Sequence, residues 1–199
     1  MAAIIRLVTD ADAPAVQAIY APIVRDTPSS FELLAPSAAD IAQRIAKTLL
    51  RFPWLVCEQD GTVLGYAYAS LHRERAAYQW SVDVSVYVHE QHRGQGIGRA
   101  LYTSLFAILR AQGFYNVYAG ITLPNHGSVA LHEAMGMQPL GVYRHVGYKL
   151  GAWHDVGWWQ GMVQPMAEQP VPPQPVTAIQ GTEVWDSLLA RGLSHLHLA

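Results

Sequence analysis

The chain has 199 residues, 51% of them apolar, which is enough for one well-filled core. Its 13 basic and 15 acidic residues give a net charge of −2 without a long run of either sign, so a nucleic-acid surface or a polybasic membrane anchor is not expected. Cys57 is the one cysteine, no apolar run reaches membrane-spanning length, and no secretory signal is recognisable. We therefore expect a soluble cytoplasmic protein that acts on a small molecule and binds neither nucleic acid nor membrane.

The first fifty residues predict a strand and two helices. A capping sequence at residues 9–12 precedes the first helical pattern. In the second pattern Ile41, Ile45 and Leu49 recur at helical spacing, which predicts one buried face. The predicted elements are a strand at 4–8, a helix at 14–20, a short extended segment at 31–33 and a helix that ends near residue 50.

The next hundred residues predict a sheet with two further helices. Asp60 and Gly61 separate two β-like runs and predict a hairpin turn. The predicted strands are 54–58, 63–71, 80–88, 116–121, 140–146 and 154–162, and the predicted helices are 100–112 and 126–134. The element order β-α-α-β-β-β-α-β-α-β-β predicts an α/β fold with antiparallel neighbours and helices on both faces of one sheet.

The composition changes after Gln164. Five prolines between residues 165 and 175 cannot continue a helix or a central strand, so this part is predicted to be a solvated linker or a surface segment. Residues 182–198 contain a short helical pattern, and the sequence leaves open whether it docks. His195 and His197 lie two apart in this tail and are not expected to bind a metal. We predict one domain at residues 1–164, followed by a proline-rich linker and tail at 165–199.

Residues 93–98, read R-G-Q-G-I-G and called the glycine loop below, connect a predicted strand to a predicted helix. The free N–H groups at a helix start attract an anion, and glycine lets the backbone approach it. A Walker-type phosphate loop is excluded because the sequence lacks the lysine and hydroxyl that follow its last glycine, and the G-x-G-x-x-G dinucleotide spacing is not matched. From these residues alone, the loop is either an anion site or an ordinary turn.

The glycine loop resembles the R/Q-x-x-G-x-G/A pyrophosphate loop of the GNAT N-acetyltransferases. With residues 77–83, 131–136 and 153–157, the chain from Ile4 to about Pro175 resembles their phosphinothricin and methionine sulfoximine N-acetyltransferase branch. This resemblance implies a GNAT fold, a mixed sheet of about six to seven strands that is splayed at the acetyl-CoA site and flanked by about four helices.

The same resemblance implies a function. A homodimer would transfer the acetyl group of acetyl-CoA, without a metal, to the amino group of an analogue such as phosphinothricin, methionine sulfoximine or methionine sulfone, and so confer antibiotic or herbicide resistance. Two alternatives stay open. The first is another small-amine or protein N-terminal acetyltransferase, and the second is a catalytically impaired CoA-binding module, because Asp83 stands where related enzymes commonly have glutamate.

For the co-substrate, the resemblance implies that the strand before the glycine loop contacts the pantetheine arm and that the loop takes the diphosphate. Asn125 stands at a predicted helix start, where it caps the helix, reaches the pantetheine, or does both. The implied cofactor-binding residues are Val86, Tyr87, Val88, Arg93, Gly94, Gln95, Gly96, Ile97, Gly98, Arg99, Asn125 and Ser128.

Two residues are candidates for proton transfer. Asp83 lies in an apolar strand, so it is either a buried hydrogen-bond partner or a base with a raised pKa. Since it is one methylene shorter than glutamate, we expect it to act through a water. His132 has the pKa of an acid or a base, and it is alternatively a capping or solvent-facing histidine. It lacks the second histidine of H-E-x-x-H, so zinc is not predicted.

The acceptor is predicted to bind near a loop rich in arginine. Arg73 and Arg75 precede Tyr78, and guanidinium groups suit the carboxylate or phosphinate oxygens of an amino-acid analogue, although arginines in a loop are often only solvated. By resemblance, Phe31 forms a wall of this pocket. The segment at residues 148–154 borders the pocket or packs in a dimer interface.

Overall fold

The computed structural model describes residues 3–198, and within them the chain forms seven strands and six helices. The strands are β1 (Ile4–Leu7), β2 (Trp54–Gln59), β3 (Thr62–Leu71), β4 (Ser81–Val88), β5 (Asn116–Leu123), β6 (Gln138–Lys149) and β7 (Ala152–Met162). The helices are α1 (Ala13–Asp26), α2 (Ala38–Leu49), α3 (Ile97–Gln112), α4 (His126–Ala134), α5 (Val176–Ile179) and α6 (Trp185–Ala190). The element order through β7 is the predicted one, which confirms the α/β class.

The strands form one sheet in the order β1-β2-β3-β4-β5-β7-β6. Neighbouring strands are antiparallel except β4 and β5, which run parallel. The pairing of β4 with β5 extends from Ser81 opposite Asn116 to Asp83 opposite Tyr118, and there it stops. On its other edge β4 stays paired with β3 as far as Val88. The two central strands therefore separate after Asp83, and this gap positions the functional site.

Helices cover both faces of the sheet, as the sequence predicts. On one face α3 buries Leu105 and Ile108 completely in the larger apolar cluster. On the other face α1 and α2 bury Val16 and Ile45 in a second cluster, against strand residues such as Trp54. Each such side chain stabilises the fold by roughly 1.5–3 kcal/mol when it is fully buried. Both apolar faces are consequently needed to hold the central strands in place.

Glycines set two local boundaries in the fold. The hairpin between β2 and β3 turns through Asp60 at φ 51° and Gly61 at φ 78°, the left-handed pair that a tight hairpin requires, which confirms the predicted turn. Helix α3 begins directly after Gly96, which has φ 80°. The predicted start at Ala100 was therefore three residues late, because the helical pattern was read from its apolar face and not from its cap.

Two other predictions differ from the structure. Residues 31–33 are not a strand and lie in a loop. This loop contacts both neighbouring helices: the Ser30 hydroxyl lies 2.7 Å from the Tyr20 hydroxyl of α1, and Glu32 forms an ion pair with Arg44 of α2. Strands β6 and β7 are both longer than predicted. Strand β6 is exposed along most of its length because it lies at the edge of the sheet, so its alternation of apolar and polar residues is weak.

The C-terminal segment docks on the domain, a point that the sequence left open. Val176, Ile179, Trp185 and Leu188 are all buried in the same apolar cluster as α3. The proline-rich stretch before them lies over the surface, where the indole N–H of Trp80 donates to a backbone carbonyl of this stretch. None of the helices within residues 3–198 combines the length and the apolarity that crossing a membrane requires.

Candidate active site

A cleft of about 680 Å³ opens where β4 and β5 separate. Its walls are residues 84–88 of β4, residues 119–122 of β5, the glycine loop and one side of α4. Its volume lies within the range of small-molecule sites. Of the twelve predicted cofactor-binding residues, eleven line the cleft: Val86, Tyr87, Val88, Arg93, Gly94, Gly96, Ile97, Gly98, Arg99, Asn125 and Ser128. The exception is Gln95, whose backbone carbonyl faces away and accepts a hydrogen bond from the N–H of His197.

The glycine loop offers backbone N–H groups to an anion. Gly94 and Gly96 have φ values of 78° and 80°, which L-residues with side chains rarely adopt. The first helical bond of α3 runs from the N–H of Ala100 to the carbonyl of Gly96, so the N–H groups before it have no intrahelical partner. Arg93 and Arg99 are exposed beside them and add positive charge. Amides at a helix start flanked by guanidinium groups fit a diphosphate.

The edges of the separated strands offer a second set of polar groups. From residue 84 onward, the edge of β4 that faces β5 has no strand partner, while its opposite edge pairs with β3. The N–H and C=O groups on this free edge line the cleft and are available to the amides of a pantetheine arm. The residues present therefore fit coenzyme A along both its diphosphate and its pantetheine parts.

Asn125 caps α4, as predicted. Its side-chain oxygen accepts a hydrogen bond from the N–H of Ser128 at 3.2 Å, and both residues line the cleft. Such a cap satisfies one of the free N–H groups at the helix start. The structure thus confirms the capping role and leaves the proposed contact with pantetheine as a prediction.

Asp83 does not line the cleft; it directly precedes Val84, the first β4 residue in the cleft wall, and it pairs with a histidine that the sequence analysis did not single out. Its Oδ1 is 2.6 Å from Nδ1 of His72, and the Asp83 side chain is the more exposed of the two, at 29% against 11%. The His72 ring stacks on Tyr118 at 4.2 Å, and Tyr78 approaches it edge-on at 6.0 Å. His72 is therefore held by two aromatic rings while its imidazole contacts the carboxylate.

Burial raises the pKa of Asp83 above its ordinary value, and the hydrogen bond from His72 acts in the opposite direction. The nearby positive charge of Arg73 also lowers this pKa to a smaller extent. The carboxylate is thus a stronger base than an exposed aspartate. His72 comes near Asp83 through the strand register: Ser70 lies opposite Asp83, and the residue two positions further shares its face, a pairing that the sequence alone does not reveal.

His132 is buried at 4% exposure and lines the cleft, so it is not solvent-facing. Its Nδ1–H donates to the carbonyl of Ser128 at 2.7 Å, which leaves Nε2 as an acceptor for the Tyr102 hydroxyl at 3.0 Å. Burial lowers the pKa of His132 and raises that of Tyr102. Both groups are therefore neutral at pH 7. Tyr102, fully buried on α3, is a second residue that the sequence analysis missed, since nothing in its helical spacing separates it from a core residue.

The predicted acceptor residues lie outside this cleft. Arg73 donates to the backbone carbonyl of His72 at 2.7 Å and lies 6.0 Å from the Trp158 ring, Tyr78 contacts His72, and Arg75 is exposed. The structure therefore brings Arg73 and Tyr78 to the Asp83–His72 pair but gives Arg75 no such contact.

Phe31 belongs to the loop between α1 and α2, on the other side of the site. A Cβ at Gly147 of β6 would collide with the Phe31 ring, and the ring lies 6.4 Å from that of His154. The same loop supplies Thr27 and Ser29 to the cleft wall. This loop therefore lies between the cleft and the β6–β7 hairpin.

Over residues 3–198, no group of three or more His, Cys, Asp or Glu side chains is arranged to hold a metal ion.

Residues 5–158 match the family model described as an acetyltransferase (GNAT) domain. The chain is 41% identical over 175 residues to phosphinothricin N-acetyltransferase of Streptomyces viridochromogenes, covering 88% of this chain and 93% of the relative. It is 34% identical over 157 residues to L-methionine sulfoximine/L-methionine sulfone acetyltransferase of Salmonella typhimurium, covering 78% and 92%. The crystal structure of a GNAT superfamily phosphinothricin acetyltransferase from Sinorhizobium meliloti in complex with acetyl-CoA matches with a TM-score of 0.80 and 32% identity, over 88% of this chain and 99% of that one. The chain belongs to the GNAT family of acetyltransferases and is an acyltransferase enzyme.

Proposed function

We propose that this enzyme transfers the acetyl group of acetyl-CoA to the α-amino group of a small amino-acid analogue of the phosphinothricin, methionine sulfoximine or methionine sulfone type. The observation that carries the proposal is the cleft between β4 and β5, which fits coenzyme A and whose β4 wall begins at Val84, the residue after the paired Asp83. The names of the relatives supply the acceptor class. Acetyl-CoA is the co-substrate.

The reaction needs a group that accepts a proton from the amine, because only the neutral amine attacks the thioester. Asp83 serves as this base, since it lies where the strands diverge and its pKa is raised by burial. Because an aspartate is short, the proton passes from the amine to a water and from that water to the carboxylate. His72 holds the carboxylate in one orientation by donating its Nδ1–H to Oδ1. It acts through Asp83 and is a positioning residue.

His132 and Tyr102, which both line the cleft, form a second proton-transfer pair. Since Nδ1 of His132 is engaged with a backbone carbonyl, Nε2 is the atom that takes up or releases a proton. A histidine whose pKa is lowered by burial is unprotonated at neutral pH, so it takes up a proton as a base before it can supply one to the departing thiolate.

The acceptor binds on the side of β4 that carries Asp83. Arg73 and Arg75 bind its carboxylate or phosphinate oxygens through their guanidinium groups, and Tyr78 and Phe31 form apolar walls. A variant that combines Arg73→Ala with Arg75→Ala should raise KM for the acceptor and leave KM for acetyl-CoA unchanged. A change in KM for acetyl-CoA alone would contradict this placement.

We also propose a homodimer, because the β6–β7 hairpin exposes large apolar side chains, among them Tyr143 at 52%, Tyr148 at 58% and Trp153 at 61%.

We further propose that residues 1–164 form the acetyltransferase domain and residues 165–199 a C-terminal segment. The enzyme acts in the cytoplasm, a reducing compartment that suits the buried free thiol of Cys57. The balanced charge gives no support for a nucleic-acid or membrane partner. Acetylation of a toxic analogue would confer resistance to it.

The direct test is a thiol-release assay with acetyl-CoA and each of the three analogues, with a peptide N-terminus as the comparison acceptor. We expect turnover with at least one analogue and little with the peptide. Binding of CoA without turnover of any acceptor would instead indicate a catalytically impaired CoA-binding module.

The catalytic assignment is tested by Asp83→Asn and His132→Ala. General acid–base catalysis typically contributes about 10²–10⁴-fold, so we expect kcat to fall by about that factor in the variant that removes the base. If both variants keep kcat within about threefold of the wild type, neither residue carries proton transfer.

A further inference from the structure

The C-terminal segment follows helix α3 along its whole length. We call residues 171–198 the strap, and they lie outside residues 5–158, which match the family model. At the C-terminal end of α3, the Gln112 side chain donates to the carbonyl of Gln174 at 2.8 Å, and the N–H of Gln174 donates to the carbonyl of Gln112 at 2.8 Å. The strap is therefore attached to α3 at the end far from the cleft.

The middle of the strap is attached to α3 through the buried side chain of Ser104. The Ser104 hydroxyl donates to the carbonyl of Leu189 at 2.7 Å and accepts from the N–H of Gly192 at 3.1 Å. A Cβ at Gly192 would collide with the carbonyl of Ala100, so the two backbones touch at this point. Close packing without side chains between them fixes the distance of the strap from the helix.

The end of the strap reaches the glycine loop. The N–H of His197 donates to the carbonyl of Gln95 at 3.0 Å. A Cβ at Gly96 would collide with the carbonyl of His195, so the strap also presses against the loop at this glycine. Within the described part of the chain, no strap residue lines the cleft itself. The strap thus contacts the side of the loop that faces away from the co-substrate.

This contact sets the direction of an amide that faces the cleft. In a trans peptide the C=O and the following N–H point in opposite directions. Because the carbonyl of Gln95 is bonded to the strap, the N–H of Gly96 points away from the strap, and Gly96 lines the cleft on that other side. Glycines allow many backbone conformations, so a loop with three of them needs an external contact to keep this one.

We propose that the strap supports the co-substrate site from outside and acts as a positioning element: it holds the glycine loop in the conformation that binds the diphosphate of CoA. This inference rests on the proposed use of acetyl-CoA. It assigns a role to residues beyond the matched family domain. It also predicts that the affinity for CoA depends on the backbone hydrogen bond that the loop receives from His197, about one hundred residues further along the chain.

The first test compares His197→Pro with His197→Ala in the full chain. Proline removes the N–H that reaches Gln95, whereas alanine keeps it. The preceding Leu196 has φ −77° and ψ 135°, the conformation favoured before proline, so residue 196 can precede a proline without a change of its backbone. We expect the Kd for CoA, measured by isothermal titration calorimetry, to rise about fivefold in His197→Pro, as for the loss of one net hydrogen bond, and to stay at the wild-type value in His197→Ala.

The second test is Gly192→Ala. Gly192 has φ −83° and ψ −15°, which any residue adopts, so the collision with Ala100 is the main effect of the added methyl group. The strap must then lift from α3, and we expect the Kd for CoA to rise at least fivefold.

A Kd for CoA within twofold of the wild type in both Gly192→Ala and His197→Pro would overturn the proposal, even if Tm falls, because the strap would then serve stability alone. A wild-type protein that does not bind CoA would refute the proposed function, and this inference with it.

Discussion

Replacement of His72 by leucine tests whether the carboxylate of Asp83 is the base. The Nδ1 of His72 lies 2.6 Å from Oδ1 of Asp83, a length typical of a hydrogen bond to a charged group. Such bonds are worth about 1.5–3 kcal/mol, and this free energy favours the ionised form of the carboxylate. Leucine removes the donor and leaves the burial that raises the pKa of Asp83, so this pKa rises further.

The consequence is a pH-dependent loss of activity. At a pH where the carboxylate is only partly ionised, kcat/KM of His72→Leu should fall about tenfold or more below the wild type, and the deficit should shrink as the pH rises. The assay is the pH profile of kcat/KM from thiol release between pH 5 and pH 9. His72→Asn is the matched control, because its side-chain N–H₂ takes the place of Nδ1–H, and we expect its profile to stay near that of the wild type.

Two results would refute this reasoning. A His72→Leu profile that superimposes on the wild type would show that the hydrogen bond does not favour the ionised base. A loss of equal size at every pH would show that His72 shapes the site without changing the ionisation of Asp83. In an Asp83→Asn background, His72→Leu should cause little further loss, because the two changes remove the same interaction.

Three further perturbations test other parts of the site. Gly147→Ala places a methyl group against the Phe31 ring and should raise KM for the acceptor but not for acetyl-CoA, whereas Gly141→Ala, which meets no atom within 4 Å, should leave both KM values unchanged. Gly94→Ala also meets no atom but has φ 78°, so the left-handed backbone costs about 1–2 kcal/mol and calorimetry should show weaker CoA binding. Burial lowers the pKa of His132 below the 6.5 of an unfolded histidine, so the unfolded chain binds more protons than the folded chain at acidic pH. The free energy of unfolding should therefore fall as the pH drops below about 6.5. Denaturant titrations at pH 7.5 and 5.5 should show this fall, and the fall should be smaller in His132→Gln.

Local patterns predicted the order of the elements and the glycine loop because both depend on neighbouring residues. The partner of Asp83 was not predicted, since it depends on the register of β3 against β4, and nothing in the sequence around His72 reveals which residue lies opposite. Docking of the strap stayed open for a related reason. Its buried residues, such as Trp185 and Leu188, are spaced among exposed ones. A local sequence pattern also cannot show contacts between distant residues, such as the hydrogen bond from Ser104 to Leu189 and the one from the N–H of His197 to Gln95.

Strand β4 would bring the two substrates of the proposed reaction together at one point. Its edge toward β5 is free from residue 84 onward and faces the co-substrate cleft, while the face that carries Asp83 turns toward His72 and the loop with Arg73. The last residue still paired with β5 is Asp83 itself, so the proposed base stands where the free edge begins. A proton-transfer group must lie within hydrogen-bond reach of the reacting amine or of one bridging water. In the proposed reaction, an acceptor bound on the Asp83 face and a thioester bound along the free edge would meet where the two strands diverge. The length and orientation of the side chain at position 83 would then decide whether the proton passes directly or through a water.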